Sequence, residues 1–351
     1  MKLRAILRKL AISCAATAAL LIGLELAARH AEPGPFTLLD ESPYDPHPSR
    51  LHAHRPDFRG AWDGSYYQIN ARGWRGSEFE PTFQPGELRI LALGDSCTFG
   101  KAVEDDQTWP AQLERLLRST PDAPRSVMVG NSGVNGYSGG DYLSVFIEHG
   151  PQIKPHVVVI GYNINDFPNV VKQTDEAVFQ GRRSLRSMIS YQWREELGKL
   201  ASFRWLRSRY YDFNRERDFA RMEALAKATG EQAQFSPEQM QREEDRLRQL
   251  INVARSMGAH VVLFLFPYES QVYLEDFVRG PVDAIEQLAR DVGIEYVDVL
   301  GAFRAEARAS DPPEQLFNLG DRYHPNGRGY GIVARELERR IRERGWARLP
   351  E

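Results

Sequence analysis

Five short apolar runs recur along the chain: Ile90–Leu93, Val127–Val129, Val157–Ile160, Val261–Phe266 and Tyr296–Val299. Runs this short and this apolar predict strands covered on both faces, as in a parallel sheet. Between them, Trp109, Leu113, Leu116 and Leu117 fall on one face of a helix expected over Thr108–Leu117. Ser236 followed by Pro237 marks the start of a helix running to about Ser256, and further helices are expected over Val282–Val292 and from about Gly329 to Arg344. Strands alternating with helices predict an α/β fold with a doubly wound, parallel five-stranded sheet. The rhythm breaks between Val170 and Phe235, a basic and aromatic helical insert (Arg182, Arg183, Arg186, Trp193, Arg194, Trp205, Arg207, Arg209). It reads as a cap over the sheet, with contact to an anionic polymer or to membrane headgroups as the competing reading.

The start of the chain is patterned differently. Lys2, Arg4, Arg8 and Lys9 precede an uncharged run from Leu10 to Leu24, the pattern of an export signal or anchor whose basic flank stays inside. Cleavage after Ala28 would put Leu26 at the −3 position, and cleavage after Ala31 would put Arg29 there. Residues 1–31 are therefore expected to remain as a signal anchor that leaves the rest of the chain outside the cytoplasm. The next stretch, Glu32 to about Arg59, is rich in Pro and His and reads as an extended linker. Its His47, His52 and His54 lack a carboxylate or thiol at supporting spacing, so they read as surface histidines and not as a metal site. Ser65–Arg75 suggests a small β-hairpin. Residues 32–85 thus form a linker and β lead-in to a domain over 86–348, with the insert at about 170–235.

Composition narrows the classes. A net charge of −3 over 351 residues, with 42% hydrophobic and 26% charged positions, gives no basic face for nucleic acid. Two cysteines, Cys14 and Cys97, cannot make a disulfide framework or a zinc site, and Cys97 reads as a small buried hydrophobe. Gly130-Asn-Ser-Gly-Val-Asn-Gly136 follows a strand but lacks the G-x-G-x-x-G of dinucleotide binders.

The chemistry gathers at strand ends. The first strand breaks at Gly94 and delivers Asp95 and Ser96 where open α/β sheets place their ligand crevice. The G-x-S-x-G elbow does not fit, because Thr98 stands where its second glycine would be. Near the far end, Asp321 and His324 are three apart on a turn, which can set a carboxylate beside an imidazole and leave the other ring nitrogen to take a proton. A serine hydroxyl needs such a base near neutral pH.

Taken together, Gly94-Asp-Ser96, Asn131-x-Gly133-x-x-Gly136, Asn165-Asp166 and Asp321-x-x-His324-Pro325 resemble the signature blocks of the SGNH (GDSL-like) hydrolase superfamily. The resemblance covers about Leu88 to Arg344. It implies a flavodoxin-like sheet, Ser96 as nucleophile, His324 as general base and Asp321 as its orienting acid. It also implies an oxyanion hole from the backbone amides of Ser96 and Gly133 and the side chain of Asn165, and no cofactor. The glycine of the third block is displaced here, which makes Asn163 a rival to Asn165. The basic-flanked apolar start and Asn70-Ala-Arg-Gly-Trp-Arg75 look, more loosely, like the membrane-anchored bacterial members.

The expected function is an extracytoplasmic serine esterase acting on acyl esters, an acetylated glycan among the candidate substrates. The same residues would serve an O-acyltransferase on an envelope glycan. A non-catalytic envelope-binding module would need no intact triad.

Overall fold

The structure is a computed structural model. It describes residues 2–31, 43–50, 52–62, 65–79, 86–119, 124–163, 237–274, 280–309, 315–318, 321 and 323–348, together with 200–203, 205, 206, 209, 210, 213 and 217. Asn165, Asp166 and most of the insert lie outside the described residues.

The five parallel strands are β5 (Glu87–Gly94), β6 (Ser126–Asn131), β7 (Val157–Asn163), β8 (His260–Phe266) and β9 (Glu295–Tyr296), in the order β6-β5-β7-β8-β9. The first strand of the sheet is thus interior, flanked by the second and third, which is the flavodoxin-like order. Successive residues of a strand point to opposite faces, and both faces are apolar. Ile90, Ala92, Val157, Val159, Val262 and Phe264 pack with α3 (Trp109–Arg118), α8 (Val299–Arg308) and α9 (Gly327–Glu343). Leu91, Leu93, Val158, Ile160, Leu263 and Leu265 pack with α4 (Gly139–Ile153), α5 (Pro237–Ser256) and α7 (Gly280–Val292). A doubly wound sheet therefore holds the strand ends in place from both sides.

Several expectations need correction. The fifth strand stops at Tyr296, because Asp298 accepts the Gly301 N–H at 3.1 Å and caps α8, so Val299 opens a helix. Of the extended linker, residues 43–50 and 52–59 are docked and partly paired. Tyr44–Asp45 (β1) pairs antiparallel with Ala53–His54 (β2), and Arg50 is buried with its Nη2 donating to Glu148 on α4 at 2.6 Å. His54 is not a surface histidine; it is 3% exposed and stacks against Tyr44. The hairpin begins earlier than expected, pairing β3 (Arg59–Trp62) with β4 (Ser65–Gln68). Asn70 then closes a turn by accepting from the Arg72 and Trp74 N–H groups, and Arg75 bridges to Asn131 at the end of β6.

At the other end of the chain, α1 (Lys2–Ala31) includes Ile6–Ala31, long and apolar enough by length and composition to cross a membrane, with mean hydropathy 2.0 and none of its most apolar window buried.

Candidate active site

The ends of β5, β6 and β7 meet at one edge of the sheet, and the short helix α2 (Ser96–Phe99) sits on them. Glycine makes the seat possible. A Cβ on Gly94 would lie 2.0 Å from Thr98 Oγ1, one on Gly161 2.5 Å from the same atom, and one on Gly133 2.3 Å from the Phe99 nitrogen. Asp95, fully buried, caps the helix by accepting the Cys97 N–H at 2.9 Å. Gly100 ends the helix in the left-handed region at φ 87°. Ser96 is thereby held as the first residue of α2, with its side chain at the strand ends.

Asp321 and His324 come from the loop before α9. Its shape is set by the Asn318 N–H donating to the His324 carbonyl, and by Asn326, which caps α9 by accepting from the Arg328 and Gly329 N–H groups. Asp321 Oδ1 accepts the N–H groups of Tyr323 (2.9 Å) and His324 (3.2 Å). That leaves Oδ2 for His324 Nδ1 at 2.6 Å, while His324 Nε2 lies 2.8 Å from Ser96 Oγ. A second contact, from Ser96 Oγ to Asp95 Oδ2, is longer at 3.4 Å.

Burial alone would push the Asp321 carboxyl up. The charge of His324 and its hydrogen bond, with Lys101 and the Tyr323 N–H, outweigh burial and hold it well below the usual carboxylate range. An anionic Asp321 requires His324 Nδ1 to be the donor, so the neutral ring presents Nε2 as acceptor to the serine hydroxyl. The arrangement can take a proton from Ser96 Oγ and stabilise the imidazolium that results.

The expected oxyanion groups are less completely assembled. The Gly133 N–H donates to Asn131 Oδ1 of its own loop at 3.1 Å. Asn163 is fully buried, with Nδ2 3.0 Å from Cys97 Sγ, and the Cys97 thiol donates to the Tyr323 carbonyl at 3.4 Å. The rival amide is thus turned to the packing behind the serine. Among the described residues, no group of three or more His, Cys, Asp and Glu side chains could hold a metal ion.

Three residues beside the site carry no role in the sequence reading. Arg75 donates Nη1 to the Phe99 carbonyl, which also accepts from Asn131 Nδ2, and Asp95 caps α2. Asp95 beside Ser96 is a recognisable capping signal. A long-range arginine clamp leaves no local sequence signal.

Sheet order defines the class first: a flavodoxin-like, doubly wound α/β fold with a serine turn at the strand ends. A sequence profile of the GDSL-like Lipase/Acylhydrolase family matches residues 92–332, more than half of the chain, and the chain belongs to that family. Similar solved structures include an acetylxylan esterase from Geobacillus stearothermophilus, 19% identical over 76% of this chain and 98% of that one, TM-score 0.44. An alpha/beta hydrolase enzyme from the metagenome of Lake Arreo, Spain, is 18% identical over 77% and 99%, TM-score 0.45. A member of the lipolytic G-D-S-L family from Veillonella parvula is 16% identical over 72% and 95%, TM-score 0.40. No curated protein matches the chain.

Proposed function

We propose that this protein is an extracytoplasmic serine esterase that hydrolyses acyl esters, O-acetyl esters among them, through an acyl-enzyme. The observation that carries the reading is the continuous run from Asp321 through His324 to Ser96, at 2.6 and 2.8 Å. Ser96 Oγ attacks the ester carbonyl carbon as its proton passes to His324 Nε2, and Asp321 stabilises the imidazolium. The oxyanion is met by the backbone amides of Ser96 and Gly133 and the side chain of Asn165. Collapse of the tetrahedral intermediate breaks the bond to the alcohol oxygen, which takes the proton from His324. Water then adds to the acyl carbonyl with His324 as base, and release of the carboxylic acid restores Ser96. These steps need no cofactor.

The catalytic unit in this reading is residues 86–348, with the insert at about 170–235. Residues 1–31 act as an uncleaved anchor, supported by the basic residues ahead of the apolar run and by the length of α1. The test is a fluorophosphonate probe on the full-length protein. It should label Ser96, and Ser96→Ala should abolish both labelling and nitrophenyl acetate turnover. Labelling elsewhere, or full activity in the variant, removes the assignment.

A further inference from the structure

Two exposed apolar surfaces of this protein are joined at Glu25. On α1, the Glu25 carboxylate accepts from Arg29 Nε at 2.7 Å, the Ala201 N–H at 3.0 Å, the Ser202 N–H at 2.9 Å and Ser202 Oγ at 2.6 Å. Ala28, one turn further along α1, and Ala201 are both buried. The carboxylate that interrupts the apolar stretch is thereby satisfied by the first residues of a second helical stretch. The uncharged run Leu10–Leu24 rises about 22 Å at 1.5 Å per residue, most of a membrane core of about 30 Å, so Glu25, the first charged residue after it, stands at the far membrane surface. Ala201 and Ser202 are held at the same level.

Beyond that contact, residues 201–203, 205, 206, 209, 210 and 213 are helical. Leu206, Tyr210 and Phe213 are 49%, 50% and 89% exposed. A spacing of four and three is that of one helical face, and exposed Arg209 lies beside Tyr210 in sequence. An exposed face with an aromatic edge, a basic neighbour and a start at the membrane surface has the chemistry of a helix lying in the interface. We propose that this exposed face lies along the bilayer that holds α1, with Leu206, Tyr210 and Phe213 entering the boundary between headgroups and acyl chains. Glu25 fastens it to the anchor, so the catalytic domain is docked on the membrane and not hung from it. This inference rests on the anchor reading of α1.

The native cysteines allow the two to be tested apart, because Cys14 is exposed on α1 and Cys97 is buried. The full chain is reconstituted in nanodiscs of phosphatidylcholine with phosphatidylglycerol and labelled with a thiol-reactive fluorophore at Cys14. The same label is placed at residue 213 in a Cys14→Ala, Phe213→Cys variant, at 210 through Tyr210→Cys, and at exposed Ala309 through Ala309→Cys as control. The expected result is quenching of the Cys14 label by lipid spin-labelled deep in the chain. Labels at 210 and 213 should be quenched by lipid spin-labelled near the headgroup and protected at least threefold from iodide relative to 309. Glu25→Ala should reduce that protection. If the Cys14 label is lipid-quenched while 210 and 213 are as open to iodide as 309, the inference falls and the anchor stands. Labels shielded from both quenchers show a protein occupant and overturn the inference. A Cys14 label untouched by lipid overturns both readings.

Discussion

Arg75 and Phe99 are joined twice: Nη1 of the arginine donates to the Phe99 carbonyl at 3.0 Å, and the guanidinium carbon lies 4.7 Å from the centre of the Phe99 ring. The same side chain, 4% exposed, donates to the Gly100 and Val103 carbonyls and pairs through Nε with Asp105 at 2.7 Å. Carbonyls at the end of a helix lack partners within it, and this fork supplies them for the helix that opens at Ser96. Its backbone N–H also donates to the Asn131 carbonyl at the end of β6. The β lead-in is therefore part of the support of the serine turn.

Arg75→Ala leaves buried carbonyls without donors and Asp105 without its cation. We expect a loss of about 3–5 kcal/mol, the usual cost of breaking a buried pair from one side, read from urea unfolding. Arg75→Lys should recover less than half of it, because a point ammonium cannot reach several acceptors from one plane. A loss below about 1 kcal/mol would show that the clamp is dispensable.

Asp321→Asn should fold normally, since an amide oxygen can still accept the Tyr323 and His324 N–H groups. It would no longer hold His324 Nδ1 as the donor, and a wrong tautomer of this kind costs about 10⁴-fold in kcat. Ester turnover and the rate of fluorophosphonate labelling should fall together. A loss under tenfold in both would remove Asp321 from the mechanism.

Asn163, the last residue of β7, and Asn165, two positions on in sequence, should separate by the quantity they affect. Asn163→Ala removes a buried amide from Cys97 and should lower stability by about 1–3 kcal/mol. Asn165→Ala should leave stability within about 0.5 kcal/mol and lower kcat by about 100- to 1000-fold, the usual effect of losing one oxyanion donor. The reverse pattern, with kcat lost at 163, would exchange their roles.

The strands were legible because both faces of the sheet are covered, which makes each run apolar without alternation. Val297-Asp298-Val299 looked like more of the last strand, and one capping carboxylate turned it into a helix start. Helix α4 escaped notice because Gly139, Gly140, Gly150 and Pro151 are poor helix residues; Tyr142, Val145 and Phe146 packing on the sheet override that preference. The docking of residues 43–50 and 52–59 depends on partners such as Arg50 and Glu148, 98 positions apart, and no local pattern carries it. Ser96 and His324 are 228 positions apart, and what brought them together in the sequence was their resemblance to a known set of blocks.

His54 gives a pH-dependent signature. Burial drives its pKa down from 6.5 to about 3, against the raising effect of its bond to the Gly73 carbonyl and with further lowering by His52 and Arg75. Unfolded, the ring takes up a proton near 6.5; folded, only near 3. Between those values the unfolded state binds more protons, so stability is fully present above pH 6.5 and is lost as the pH falls, by up to about 1.4 kcal/mol per unit. His54→Phe keeps a ring between Tyr44 and Phe99 and should remove that one group's share of the slope. Urea unfolding at pH 7, 6 and 5 measures it, and identical slopes in both proteins would show that His54 is not the group responsible.

Hydrolysis and transfer share the acyl-enzyme and differ in what attacks it. Water needs only access to the acyl carbonyl on Ser96, whereas an acceptor sugar must be held so that its hydroxyl outcompetes water through positioning. An acetylated glycan brings the acyl group itself, so hydrolysis needs one bound partner and transfer needs two. Among the described residues, the serine turn and the His324 loop bring together the nucleophile and base that both reactions share, and the second bound partner is the added requirement of transfer. Acetate should therefore be released from an O-acetylated envelope polysaccharide at a rate that added sugar acceptors leave unchanged, with Ser96→Ala as the blank. If acceptor suppresses acetate release while acetylated acceptor accumulates, the enzyme is a transferase. The second binding surface would then be sought in the insert that follows Asn165 in the sequence.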